Sequence, residues 1–191
     1  MRNLILIVHT SLDGFAAGEH GELDGFEPGE ENLEFVCKLT EDADAALFGR
    51  TSYQLLDKYW PSAYNHPDAS RGQIKYSNWY NSVQKIVLSR TMSEVNLNNV
   101  TIIGDDIPTE INKIKEQSGK DILIFGSPAA SQTLMHFDLI DSYWIFINPI
   151  IFGKGIPLFK AGLNDKMKLK LVATKQFSNG ELALNYIVIR L

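Results

Sequence analysis

A single cysteine, Cys37, stands in the 191-residue chain, so no disulfide can close within it, and this usage fits a reducing compartment. Cys37 falls in an apolar-periodic stretch with Phe35 and Leu39, which predicts a packed thiol rather than a nucleophile. No apolar run approaches the roughly 20 residues that a membrane helix needs. The opening residues, MRNLILIVHTSLDG, bring Asp13 too early for a secretory signal. A cytoplasmic protein is expected. Lys and Arg number 18 against 23 Asp and Glu, and a net charge of -5 lacks the basic balance usual in nucleic-acid binders. The four histidines, His9, His20, His66 and His136, show neither i, i+4 spacing nor paired cysteines, which speaks against a metal site. G-x-G-x-x-G and G-x-x-x-x-G-K-[ST] are both missing, which counts against an ordinary Rossmann site or a P-loop. Solenoid repeats, low-complexity tracts and linkers are missing too, leaving one domain over residues 1–191.

What is there is an alternation of short apolar runs and helical patterns. Leu4 to Val8 reads as a central strand buried on both faces. A Gly- and Glu-rich loop follows to about Gly29, and a helix starts at Glu30. Ala45 to Phe48 is the next strand, followed by a helix carrying Tyr53, Leu56 and Trp60 on one face. Residues 61–82 read as an aromatic-rich insertion closing in a short helix around Ile74 to Val83. Lys85 to Ser89 and Val100 to Ile103 are strands, and Pro108 suits the first turn of a helix ending near Gln117. Ile122 to Phe125 is a strand, Ala129 to Phe137 a helix, and Tyr143 to Phe152 a long strand. Two alternating runs joined through Asn179-Gly180 form a hairpin. The order predicts a three-layer α/β/α domain whose mixed, mostly parallel central sheet ends in an antiparallel C-terminal hairpin.

Two junctions draw attention. DILIFGSPAASQTL and DAALFGRTSYQLL each run an apolar strand into Phe-Gly and then into a helix. At such ends free backbone N–H groups and the helix dipole favour anions, and glycine lets a phosphate approach closely. Gly126, Ser127, Pro128, Ala129, Ala130 and Ser131 offer a first turn with no bulky side chain. Gly49, Arg50, Thr51 and Ser52 add a cation and two hydroxyls. Of five arginines, Arg50 and Arg90 fall at predicted carboxyl ends of strands, where two guanidiniums can grip a phosphate. The same spacing also suits solvated surface arginines, and glycine at such a turn also serves turn chemistry alone.

SLDGF, LFGRTSY, VLSRT, IFGSPAASQTLM and DLIDSYWIFINPIIFGKGIPLF occur in that order, and together they resemble the dihydrofolate reductase superfamily. The resemblance is strongest to the branch of the C-terminal reductase domain of the bacterial riboflavin deaminase-reductase, and it runs from about Leu4 to Leu191. It implies a dihydrofolate-reductase-like fold, NADPH as cofactor, a small-molecule substrate and a homodimer. Gly49, Arg50, Thr51 and Ser52 match the turn at the cofactor phosphates. Ser89 and Arg90 match the strand end near the adenosine 2′-phosphate. Gly126 and Ser127 match a Gly-Gly pair leading into the pyrophosphate helix. His9 to Ala17, with Ala16 and Ala17, would line the nicotinamide side.

Departures bear on the substrate. Phe15 stands where the riboflavin enzymes carry a substrate-facing lysine, Phe26 where relatives usually show tryptophan, and Ser142 where that branch tends to have glutamate. Glu31, four residues before Phe35, is the nearest match to the dihydrofolate reductase carboxylate, with Glu30 competing. The expected activity is hydride transfer from NADPH to a C=N or C=O carbon of a small heterocyclic or sugar-derived substrate, similar to 5-amino-6-(5-phosphoribosylamino)uracil reductase. Glu31, beneath Phe26 and Phe35, would bind substrate nitrogen and assist protonation, and Asp13 holds the Gly14 turn or touches substrate. A pteridine reductase and a non-catalytic NADPH-binding protein are the alternatives.

Overall fold

Ala45, Ala46, Leu47 and Phe48 are each 0% exposed, as are Leu4 and Leu6. Runs like these have no wet face and therefore become interior strands. The computed structural model describes residues 1–92, 99–160 and 166–190. The elements run β1 (Leu4–Thr10), β2 (Phe15–Ala17), α1 (Glu30–Thr40), β3 (Ala43–Gly49), α2 (Arg50–Leu56), α3 (Arg71–Ser82), β4 (Gln84–Leu88) and β5 (Val100–Ile103). They continue with α4 (Ile107–Glu116), β6 (Asp121–Phe125), α5 (Pro128–His136), β7 (Ser142–Ile147), β8 (Ile156–Pro157), β9 (Lys168–Gln176) and β10 (Leu182–Ile189). Eight strands follow the order β5-β4-β3-β6-β1-β7-β10-β9, while β2 and β8 make a small separate ladder. The β3–β4, β4–β5 and β1–β7 pairs are parallel, and β7–β10 and β10–β9 are antiparallel. This is the mixed, mostly parallel α/β sheet with a closing hairpin that the sequence predicts.

Two compact units emerge, Met1–Arg2 with Pro28–Leu123, and Asn3–Glu27 with Ile124–Leu191. The division falls within β6. Its start is tied to the first unit by the Asp121 N–H donating to the Asp42 carbonyl, and the residue after it to the second by Gly126 N–H donating to Ile7, each at 3.0 Å.

In the first unit α1 and α3 pack together, with α1 also on β3. Cys37 is buried, its thiol donates to the Gly72 carbonyl at 3.5 Å, and burial pushes that thiol up. It is a core residue. Three element bounds differ from the sequence reading by about three residues or more. The helix after β3 stops at Leu56, so Trp60 lies in the following turn, where it packs on Tyr76 at 4.3 Å between ring centres. The insertion's helix begins at Arg71 because Ser70 caps it. Ser70 accepts from Gln73 N–H, and the Gln73 side chain accepts in turn from Ser70 N–H. In the second unit β7 ends at Ile147 rather than Phe152, since Asn148 turns the chain ahead of Pro149.

Glu30 adds to the α3 start. It accepts from the Ser70 hydroxyl at 2.6 Å and from the Gly72 N–H at 2.9 Å. One serine therefore serves both the cap and the α1–α3 contact. Ser70→Ala is expected to lower stability by about 1 kcal/mol or somewhat more, measured by urea denaturation.

Candidate functional site

The first unit gathers one group of predicted residues at the carboxyl ends of β3, β4 and β5. Gly49, buried and extended, hands over to α2 with no side-chain cap. That helix is only seven residues long, so the guanidinium of Arg50 contributes more here than the helix end. Arg50 Nη1 donates to Thr91 Oγ1 at 2.9 Å, which ties the end of β3 to the turn after β4. Ser89 Oγ accepts from the N–H groups of Thr91 and Met92 at 3.2 and 2.9 Å, so its hydroxyl shapes that turn. Thr51 is exposed and Ser52 half-buried. Arg90 Nε donates to the Gly104 carbonyl at 3.4 Å and lies 3.5 Å from Asp105, with Arg90 80% exposed. An ion pair that open to water contributes little, and the guanidinium keeps donors to spare. Gly104, unremarked in the sequence, completes the corner. A Cβ there would come within 3.2 Å of the Ser89 carbonyl oxygen.

Glu31 and Glu30 both lie in the first turn of α1, where acids complement the helix dipole. Glu30 accepts from Ser70 and Gly72, and Glu31 is half-buried, one turn ahead of half-buried Phe35.

The second unit gathers the rest. Gly126 has φ +54 and open space where a Cβ would stand. Ser127 caps α5 at φ 53, ψ 70, in the left-handed region that favours glycine, with no side-chain capping bond. The turn thus keeps, with serine, a backbone that the family's second glycine would adopt freely. Pro128 is half-buried and Ala129 exposed, and both follow at the start of the helix. Ala130 is 6% exposed and Ser131 0%. Ser131 departs from its predicted role of touching cofactor. Its hydroxyl donates to the Gly126 carbonyl at 2.9 Å and holds the turn from below.

Ala16 and Ala17 are buried on β2. Asp13 Oδ1 accepts from Phe152 N–H at 3.1 Å and Oδ2 from Gly153 N–H at 2.8 Å. Both oxygens hold a neighbouring loop, which suits an anchor better than a catalytic acid. The loop it fixes carries Phe152, which stacks on Phe26 at 5.1 Å between ring centres. Phe26 lies 6.0 Å from His9, His9 stacks on Phe146 at 5.0 Å, and Phe146 stacks on Phe177 at 6.0 Å. Five rings form one row with the imidazole at its centre.

The register explains the row. His9 pairs with Phe146 across β1 and β7, and Phe146 pairs with Ala183 across β7 and β10. Residues opposite each other share a face, and alternation puts the residue two before Ala183 on that face as well. That residue is Glu181, fully buried, with Oε1 2.8 Å from His9 Nδ1. Sequence reading missed it because an acid beside Asn179-Gly180 looks like a solvated turn charge. Only the pairing of β1, β7 and β10 brings it under His9.

Comparisons with known proteins bear on the family and the fold. The sequence profile of the family described as RibD C-terminal domain matches residues 2–183. The chain is 33% identical over 187 residues to YyaP, an uncharacterized protein of Bacillus subtilis (strain 168), covering 97% of this chain and 94% of that one. Its fold is similar to that of the diaminohydroxyphosphoribosylaminopyrimidine deaminase/5-amino-6-(5-phosphoribosylamino)uracil reductase of Thermotoga maritima, with a TM-score of 0.68 at 17% identity, over 98% of this chain and 57% of that one. It is also similar to dihydrofolate reductase from Enterococcus faecalis, solved with NADP(H), with a TM-score of 0.62 at 14% identity, over 97% and 96% of the two chains.

The Ser11 hydroxyl first, then the Gly153 and Phe152 amides, hold the Asp13 carboxyl below its ordinary value of 3.8. A lowered folded-state pKa stabilises above the unfolded value, and that contribution is lost as pH falls through the folded one. Wild type is therefore expected to melt above Asp13→Asn at neutral pH, with the gap closing as pH drops below 3.8. Calorimetric scans of both proteins across that range measure it.

Proposed function

This chain belongs to the RibD C-terminal domain family, and on that premise we propose that it is an NADPH-dependent oxidoreductase acting on a C=N or C=O carbon of a small heterocyclic or sugar-derived molecule. The observation that carries the reading is the corner at the ends of β3 and β4, where the Arg50 guanidinium donates to the Thr91 hydroxyl and the Arg90 guanidinium to the Gly104 carbonyl. Such a pair can grip a phosphate monoester through several charge-assisted bonds, which is what separates NADPH from NADH. Gly126 and Ser127 suit the pyrophosphate, because the open space over Gly126 admits an anion close to the backbone. Bound NADPH supplies hydride. The chain supplies binding, orientation and exclusion of water.

In the second unit Ala16 and Ala17 would line the nicotinamide side, and in the first Glu31, half-buried on α1, is the candidate to bind a substrate N–H. Phe26 and Phe152, stacked, present an apolar face to a planar ring. Phe15 in place of a lysine removes the cation that a phosphorylated substrate would meet. This favours an uncharged heterocycle over a phosphoribosyl compound. Homodimerisation belongs to the same reading, with exposed Leu171, Val172, Ile187 and Ile189 on the terminal hairpin as its surface.

The test is NADPH oxidation, followed by absorbance, with dihydrofolate, 5-amino-6-(5-phosphoribosylamino)uracil and benzaldehyde as acceptors, beside a thermal shift with NADPH alone. Turnover of one acceptor is expected. A thermal shift without turnover of any of them leaves a non-catalytic NADPH-binding protein, and no shift at all ends the cofactor reading. Arg50→Ala with Arg90→Ala should raise the Kd for NADPH by about ten- to a hundredfold and change the Kd for NADH far less. Equal losses for both cofactors remove the 2′-phosphate role.

A further inference from the structure

The corner of the first unit is not purely cationic. Arg50 has a hydroxyl for its partner, that of Thr91, whereas Arg90 faces a carboxylate, with Asp105 Oδ1 3.5 Å from Nε. Among the described residues no acid pairs with Arg50, and Asp105 alone pairs with Arg90. The backbone sets this juxtaposition. Ser89 N–H donates to the Ile103 carbonyl at 2.9 Å, so the ends of β4 and β5 lie side by side. Gly104 then passes so close that a Cβ would stand 3.2 Å from the Ser89 carbonyl oxygen and 3.6 Å from the Arg90 Cα. Asp105 comes next, and Asp106, at φ 46 and ψ 44 in the left-handed region, turns the chain into α4 straight after it. Nε of Arg90 is taken up with the Gly104 carbonyl and Asp105, while its Nη hydrogens bond to none of the described residues. The fork open to an anion and the atom that meets the acid belong to one guanidinium.

We propose that Asp105 is a specificity-determining residue of this corner, one that weakens NADPH relative to NADH and so narrows the preference that Arg50 and Arg90 create. This rests on the cofactor reading above and adds the charge that opposes it. A phosphate oxygen held by an Nη hydrogen lies roughly 6–8 Å from a carboxylate stationed at Nε. A terminal phosphate carries about 1.5–2 negative charges at neutral pH, and that range falls inside the ~10 Å screening length of moderate salt. The side chains of Arg90 and Asp105 are 80% and 91% exposed. Water therefore weakens the repulsion without abolishing it, leaving about three- to tenfold in Kd. NADH meets the same residue differently. Its free 2′-hydroxyl can donate to a carboxylate, as it does in dinucleotide sites that take NAD. Asp105 thus opposes one cofactor and accepts the other, while Arg50, with no acid beside it, keeps the balance on the side of NADPH.

The experiment titrates the full chain with NADPH and with NADH, followed by nucleotide fluorescence, as wild type, Asp105→Asn and Asp106→Asn. Both positions are exposed, so neither change is expected to disturb the fold, and thermal melts of the three proteins check it. The ratio of the Kd for NADH to the Kd for NADPH should rise about three- to tenfold in Asp105→Asn at low salt. Most of that gain should vanish near about 1 M salt, where screening acts within about 3 Å. Asp106→Asn removes the same charge from a side chain with no ion pair to Arg90, so its ratio should stay within about twofold of wild type. An unchanged or lowered ratio in Asp105→Asn, a gain that survives high salt, or an equal gain from Asp106→Asn overturns the role of Asp105 and leaves the cofactor reading standing. Binding of neither cofactor by wild type ends that reading, and the task of Asp105 with it.

Discussion

Phe146 is fully buried, and the second unit is arranged around it. It lies opposite His9 on one neighbouring strand and opposite Ala183 on the other, and it stacks between His9 and Phe177. Aromatic pairs at these separations add about 0.5–1.5 kcal/mol each beyond the area they bury. Their greater effect here is geometric. A ring wedged between two others has few rotamers left, so the imidazole at the end of β1 is oriented before anything binds. Orientation obtained from packing does not have to be recovered from the ligand. The Asp13 anchor extends the same logic to the far end of the row, because Phe152 stays stacked on Phe26 only while its loop is held.

The first unit solves a different problem with different means. Its corner is exposed, charged and polar, and it relies on backbone turns rather than on rings. Parallel pairing of β3, β4 and β5 brings three strand ends to one edge, the place where open α/β sheets take their ligands. Arg50, Thr91, Arg90 and Gly104 meet there because the strands end in step. The second unit thus keeps a rigid apolar row, and the first a solvated cationic corner.

Much of this was legible in the sequence, for identifiable reasons. Apolar runs such as Leu4 to Val8 can only be interior strands, and Asn179-Gly180 can hardly be anything but a hairpin. The arginines at 50 and 90 could be placed because a strand's end is readable from its composition. Cross-strand register could not be read. Glu181 is hidden by it, since nothing local distinguishes a turn acid in water from one folded beneath a histidine. Ser131 misled for a related reason. A small hydroxyl residue in a helix's first turn suits an anion, but its side chain turned back to the Gly126 carbonyl. The long strand expected from Tyr143 to Phe152 overran because hydrophobicity continues past Asn148, whose backbone N–H donates to Thr10 and whose side-chain amide donates to the Thr10 and Phe146 carbonyls.

The hairpin has a consequence for how this chain can change. The β9–β10 register slips between Asn185 and Tyr186, where Val172 is left without an opposite number. One extra residue in a ladder would ordinarily turn every later side chain to the other face. Here the slip lies on the far side of Asn185, so the stretch from Glu181 to Asn185 keeps step with β7 whatever the outer strand does beyond it. The outermost strand can therefore lengthen, bend or exchange residues without disturbing the acid. An insertion in the turn at Asn179 would likewise be taken up by the loop and the outer strand, because pairing with β7 fixes the stretch that starts at Leu182.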